Sequence, residues 1–401
     1  MKFRKLHLIL LMLLLIVVTS CKINHDNKQS TTTTNVTTET TSNELTTTTE
    51  DTTTTTEPVV EVCEEDGTHP EFKMKKCTSV LTVIPDTQYY TETYRQAEIF
   101  FSQTNWIADH YNEYNIKFVA HVGDLVRHAY SKPQFEFADK AMKVLDDAGI
   151  AYGVTVGNHD VNGNMGEYYK YRDNQRSADE LYLKFFSKER TSKVSEQYGG
   201  HSENGWNSYY YFEGNGRKYM VLFLDYAPSE ETIQWANQVL EANKHLPTIL
   251  VTHNLVKPVG NTGSAVIDGA ECEYIWNNVI KNNNQIFLTI NGHHTGSGYM
   301  VRKSASGNDV IMIVVDYQGY YRGGNGYMRL LEFDETENKI YNFTFSPYVI
   351  NMPEKARSEQ DIPELTSSDQ KYAIDINFAE RLNFAINLIS SGIVGWSMIL
   401  C

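Results

Sequence analysis

Gly157-Asn158-His159-Asp160 follows the apolar run Ala151 to Val156, and that junction sets the reading of the whole chain. A short apolar run bounded by glycine predicts a buried strand, so the amide, imidazole and carboxylate that follow stand on a turn at its end. Such a turn can bind a metal and move a proton, yet Asn and His follow glycine in many ordinary turns. The cluster gains weight from its company. Asp86-Thr87-Gln88 closes Leu81 to Pro85, Gly123-Asp124 closes Phe118 to Val122, and Thr252-His253-Asn254 closes Thr248 to Val251. Asn291-Gly292-His293-His294-Thr295-Gly296 closes Gln285 to Ile290 in the same way.

Between the first three runs lie stretches of helical periodicity. Tyr94 to Tyr114 carries Ile99, Trp106 and Ile107 on one face, and Phe135 to Ala148 stops at Gly149. Strand, helix, strand, helix, strand implies parallel strands joined by right-handed crossovers. Ligands of such sheets bind beyond the C-terminal ends of the strands, where Asp86, Asp124, Asn158 and His159 all fall. Acids and amides gathered at one edge repel or stay unsatisfied without a cation, so the pattern predicts a metal. Further on, Tyr219 to Asp225 reads as a strand, and Glu230 to Ala242 and Ala270 to Ile280 as helices. Val310 to Val315, Met328 to Phe333 and Ile340 to Phe345 are closely spaced strands that predict an antiparallel finish. Asp316-Tyr317-Gln318 either closes the site or simply forms a turn.

The 401 residues leave room for a real core, and 35 Lys+Arg against 50 Asp+Glu give a net charge of -15. With no basic cluster in the folded part, a nucleic-acid backbone is not expected as partner, whereas a small phosphorylated substrate is compatible because a metal supplies local positive charge. Lys2, Arg4 and Lys5 precede the apolar Leu8 to Val18, and Val18-Thr19-Ser20-Cys21 closes that run. This resembles a bacterial lipoprotein signal, with a plain signal peptide or uncleaved anchor as the alternative. The resemblance implies a diacylglyceryl group on Cys21, whose paired chains anchor stably, and a protein facing outward from a membrane. Residues 22–60 are dominated by threonine and read as a solvated tether.

Cys63 and Cys77 either close a small loop or stand as two surface thiols, and no cysteine has a metal-type spacing partner. The polar span from Val161 to about Gly216 carries Tyr168, Tyr169, Tyr171, Tyr198, Tyr209, Tyr210 and Tyr211. It is either a lid or specificity wall over the metal edge or an insertion whose tyrosines pack at a half-exposed surface. Leu382 to Cys401 is barely long enough to span a bilayer, and its Asn and Ser residues favour a terminal helix instead.

Taken together, the five clusters resemble the blocks of the calcineurin-like metallophosphoesterase superfamily over roughly Leu81 to Tyr348. The resemblance implies an α/β fold: a two-sheet sandwich flanked by helices, parallel strands first and antiparallel strands at the end. It also implies a hydrolase acting on phosphoric ester bonds, a phosphatase or phosphodiesterase in which a hydroxide bridging two divalent metals (Mn, Fe, Ni or Zn) attacks phosphorus. Asp124, Asn158, His253 and His293 match one metal's ligands, and Asp86, Asp124 and Gln88 the other's. His159 would stabilise the transition state or protonate the leaving oxygen, with Asp160 orienting its ring. Three positions depart from the pattern. Gln88 and Thr295 stand where histidines belong, and Arg127 replaces a second acid. His294 either compensates as a ligand or hydrogen-bonds one. The departures also motivate an alternative, a surface-binding module that keeps the fold and has lost turnover. The chain thus divides into a signal peptide over 1–21, a tether over 22–60, a short lead-in over 61–79, the metallophosphoesterase domain over 80–348 and a C-terminal extension over 349–401.

Overall fold

The computed structural model describes residues 72, 74–163, 171–193 and 196–382. The signal, the tether, Cys63, Tyr168, Tyr169 and the tail beyond 382 lie outside the described residues. Sixteen strands follow in chain order. They are β1 (Ser79–Ile84), β2 (Ile116–His121), β3 (Tyr152–Val154), β4 (Tyr198–His201), β5 (Ser208–Gly214), β6 (Arg217–Phe223), β7 (Thr248–Val251) and β8 (Val256–Pro258). The rest are β9 (Gly263–Ile267), β10 (Ile286–Asn291), β11 (Gly296–Lys303), β12 (Asp309–Asp316), β13 (Met328–Asp334), β14 (Lys339–Phe345), β15 (Glu364–Leu365) and β16 (Tyr372–Asp375).

Alternation along β1 shows how the layers stack. Leu81 and Val83 face one way, onto Phe118, Val122, Phe223, Val251 and Ile290. Val80 and Ile84 face the other, onto Phe100, Ile107, Phe135 and Met142 of the helices Tyr94–His110 and Lys132–Asp147. Successive strand residues point to opposite faces, so a strand of continuous apolar character is covered on both sides. The second sheet repeats the scheme: Met220, Leu222, Leu250 and Val314 meet Leu240 and Trp276 on its outer face. The result is two sheets back to back, each with helices outside.

In the first sheet the order is β15-β14-β13-β1-β2-β3, with β16 also on β14. β1, β2 and β3 run parallel, and β13 returns antiparallel beside β1. The second sheet runs β4-β5-β6-β7-β10-β12-β11-β9-β8, with β6, β7, β10 and β12 parallel at its centre. This is the expected sandwich, with parallel strands first and antiparallel strands at the end.

Two segments differ from expectation. Ser208–Gly214 is neither a lid nor a surface patch: β5 pairs antiparallel with β6, and Tyr210 and Phe212 enter the core between the sheets. Tyr209 and Tyr211 point outward beside Trp235. An all-aromatic run carries no visible alternation, which is why its strand character is hidden in the sequence. Beyond 348 the chain stays on the domain, since β15 and β16 both pair with β14 and Phe378 and Leu382 join the same core. Cys77 is disulfide-bonded and Cys272 is buried in the helix Gly269–Ile275. No helix among the described residues is long and apolar enough to cross a membrane.

Candidate metal centre

Every sequence cluster arrives at the same rim because each follows a strand of the parallel part of a sheet. Asp86 follows β1, Asp124 follows β2, Asn158 and His159 follow β3, His253 follows β7 and His293 follows β10. Two glycines let these turns approach. A Cβ on Gly157 would lie 2.1 Å from Asp124 Oδ1 and 2.2 Å from the Asp124 backbone nitrogen. One on Gly292 would lie 2.1 Å from Asp86 Oδ1. Asp124 and His293 themselves hold positive φ, 51° and 71°, so local backbone strain is spent on aiming them.

Asp124, His253 and His293 present ligand atoms that all lie within 4.8 Å of one another. The imidazole of His253 fixes the polarity of the group. Its Nδ1–H donates to the Val122 carbonyl at 2.8 Å, which leaves Nε2 facing inward. Around that Nε2 stand Asn158 Oδ1 at 3.1 Å, His293 Nδ1 at 3.2 Å and Asp124 Oδ1 at 3.3 Å. Edges of a coordination polyhedron with bonds of about 2.1 Å run roughly 3.0 to 3.4 Å, so the spacing suits one divalent cation. Asp124 Oδ2 is buried with no hydrogen-bond partner, as an oxygen reserved for a cation would be. Burial pushes the Asp124 carboxyl up, but His253, His159 and His293 together pull it down to about 2.

Asp86 lies beside this group, accepting the His293 backbone N–H at 3.2 Å. Burial and then the charges of Asp316 and Asp124 hold its carboxyl well above the usual carboxylate range. Burial likewise lifts Asp316, at the end of β12, to about 7 against the hydrogen bond from the Gln318 N–H. Mutually repelling carboxyls this deep are relieved by positive charge, which a bound cation would supply. Gln88 Oε1 is also buried and unpartnered, while Gln88 Nε2 donates to Gln318 Oε1. Gln318 Nε2 in turn donates to the His293 carbonyl at 3.0 Å. The donor set of oxygens and imidazole nitrogens fits a divalent metal.

His121, buried in β2, braces the rim from behind and is not evident from the sequence because it sits inside an apolar run. The Gly123 N–H donates to its Nδ1 at 3.2 Å, so Nε2 carries the hydrogen and donates to Thr87 Oγ1 at 3.1 Å. Burial, reinforced by His253, holds it neutral, its pKa down at about 3. The first and second metal-edge loops are thereby tied together.

The structure corrects the role expected of Asp160. Its carboxyl accepts the Gly157 N–H at 2.8 Å and the Val126 N–H at 3.1 Å, and so it shapes the turn. The His159 ring is oriented by the Arg127 carbonyl, which accepts from Nδ1 at 2.9 Å. Burial and Asp124 raise the Asp160 carboxyl to about 8, against the Gly157 and Val126 N–H groups, which favour its charged form. His294 turns to Asp268, 2.8 Å from its Oδ2, and Thr295 Oγ1 donates to Asp316 Oδ2 at 3.3 Å.

The calcineurin-like phosphoesterase family matches residues 80–297. The uncharacterized protein YvnB of Bacillus subtilis (strain 168) is 34% identical over 273 residues, 66% of this chain and 19% of that protein, so the chain spans about a fifth of the relative it matches. Among solved structures, a purple acid phosphatase from yellow lupin (Lupinus luteus) seeds shares 12% identity at a TM-score of 0.44, covering 76% of this chain and 55% of its own. A 5'-nucleotidase from Candida albicans shares 13% at a TM-score of 0.32, covering 77% and 54%. With its strand-end blocks converging on one rim and a family match over more than half its length, the chain belongs to the calcineurin-like phosphoesterase family.

Proposed function

We propose that the protein is a phosphoester hydrolase working with two divalent cations at the outer surface of a cell. The observation that carries this reading is the convergence of Asn158 Oδ1, His293 Nδ1 and Asp124 Oδ1 on His253 Nε2. Asp124, Asn158, His253 and His293 would hold one cation; Asp86, Gln88 and the unpartnered Asp124 Oδ2 would hold the other. Bound there, divalent cations supply Lewis acidity that neutralises phosphoryl oxygens and acidifies an attacking water.

The chain's own residues set the geometry around that chemistry. His253 donates its Nδ1–H to the Val122 carbonyl and so turns Nε2 toward the rim. His159 donates its Nδ1–H to the Arg127 carbonyl and accepts from Arg127 Nη1 at Nε2, so its ring is fixed beside the rim and positions that guanidinium. The Gln88–Gln318 pair and the His293 backbone N–H hold the Asp86 carboxylate in place.

Hydrolysis of p-nitrophenyl phosphate and bis(p-nitrophenyl) phosphate with added Mn²⁺ tests the reading. Metal-dependent turnover by the wild type, abolished in Asp124→Ala, supports it. No turnover across several cations and esters would leave the binding-module alternative in its place. The surface location rests on Val18-Thr19-Ser20-Cys21 and predicts lipid labelling of the wild type that Cys21→Ser loses.

A further inference from the structure

Arg127 stands where the family pattern has an acid, and its surroundings are unusual for a structural arginine. Its Nη1 lies 3.2 Å from His159 Nε2, and its guanidinium lies over the Tyr89 ring at 5.1 Å. His159 Nδ1 already donates to the Arg127 carbonyl, so Nε2 accepts from Nη1 and brings no negative charge. No carboxylate among the described residues pairs with this guanidinium, whereas Arg172 has Glu271, Arg190 has Asp139 and Asp146, and Arg322 has Asp361. A half-buried cation, fixed by a ring face and an imidazole, is thus held beside an acid-rich rim without a carboxylate partner among the described residues. The backbone N–H of His159 meanwhile donates to Asp124 Oδ1 at 2.9 Å, which fixes how close Arg127's partner ring sits to the metal-edge carboxylate.

We propose that Arg127 binds the phosphoryl group of the substrate directly and that it selects phosphate monoesters over diesters. The inference rests on the phosphoester-hydrolase reading above. Guanidinium offers five N–H donors in a planar fork that matches phosphate oxygens, and one of the five is spent on His159. A monoester carries three non-bridging oxygens and close to two negative charges, a diester two oxygens and one charge. Two bound cations would take two oxygens. The third belongs to the monoester alone, and Arg127 is the cation at hand to take it. The Tyr89 ring, 5.1 Å from the guanidinium carbon, adds a cation–π contact that helps hold the fork in place.

The test compares full-length wild type with Arg127→Ala and Arg127→Lys, all loaded with Mn²⁺ and checked for equal metal content and unfolding temperature. For p-nitrophenyl phosphate, kcat/KM should fall by about 10²-fold or more in Arg127→Ala, the usual cost of removing one preorganised donor to a phosphoryl oxygen. For bis(p-nitrophenyl) phosphate the fall should be at least tenfold smaller by the same reasoning, roughly 10-fold or less. Arg127→Lys should recover only part of the loss, because a point charge lacks the fork. Equal losses on both esters, or none, overturn the proposal, as does full recovery by lysine. A direct binding titration with methyl phosphate and dimethyl phosphate separates this result from failure of the underlying reading. If neither p-nitrophenyl ester turns over, the hydrolase reading falls, while weaker methyl phosphate binding in Arg127→Ala with dimethyl phosphate unchanged still sustains the role of Arg127. Unchanged methyl phosphate binding overturns it.

Discussion

Gly157 illustrates how much of the site depends on single positions. Its missing Cβ is replaced in space by the Asp124 carboxyl and backbone, so Gly157→Ala forces the β2 and β3 loops apart. Overpacking of this kind costs about 1–3 kcal/mol, and neither Asp124 nor the turn can yield without disturbing the ligand rim. Chemical denaturation should register that loss, and the variant should also bind Mn²⁺ more weakly; unchanged affinity would mean that the two loops move independently. At this scale the sequence conveys residue types and order well. Asp86, Asp124, Asn158, His253 and His293 stand out as polar residues ending apolar runs. The partner of each is less visible. Nothing in Gly-Asn-His-Asp says that Asp160 serves the backbone while the Arg127 carbonyl holds His159, because that choice depends on the path of a loop 32 residues earlier in the chain.

Among the elements, the segment after β3 shows a buried carboxylate organising a loop. Asp173 Oδ1 accepts the Ser229 N–H at 2.8 Å, and Oδ2 accepts Asn204 and Asn207 Nδ2, each at 3.1 Å, together with the Thr232 hydroxyl. The helix Glu230–Ala242, with Ser229 as its N-cap, is thereby tied to the β4–β5 loop. Burial alone would raise this carboxyl, but the hydrogen bonds from Thr232, Ser229 and Asn204 outweigh it and hold it below the usual value. A carboxyl lowered on folding contributes stability above its unfolded pKa and loses it as pH falls through its folded one. Stability should therefore decline on acidification below the ordinary carboxylate range, and Asp173→Asn should flatten that decline. At neutral pH Asp173→Ala should cost about 3 kcal/mol in denaturant titrations, because several buried donors are left unpaired. A loss under roughly 0.5 kcal/mol would show that water replaces the carboxyl. No local pattern announces this hub, since its partners come from two stretches of chain distant from Asp173.

Over the whole molecule, the sandwich follows from a chain whose strands are apolar on both faces and must be covered twice. The parallel halves and the antiparallel finish could be read from the order of runs, while the pairing of β5 and the return of β15 and β16 to β14 could not. β5 pairs with its chain neighbour β6 across Asn215-Gly216, but its burial rests on a contact distant in sequence, Tyr210 and Phe212 meeting Phe118, and the strand Tyr372–Asp375 meets Lys339 to Asn342. A cation shared by loops from both sheets should also stabilise the molecule as a unit. At 100 times its Kd, Mn²⁺ should add about 2.7 kcal/mol to unfolding, removable by EDTA. A metal-insensitive unfolding curve would contradict a rim preorganised for it.

Calorimetric titration of Mn²⁺ into metal-stripped protein, wild type beside Asp124→Ala of matched unfolding temperature, asks most plainly why these side chains meet. The wild type should take up Mn²⁺ at one or more sites per chain, and Asp124→Ala should lose the uptake. A wild type that binds no divalent cation, or an Asp124→Ala that binds as tightly, would show that the rim converges for some other reason.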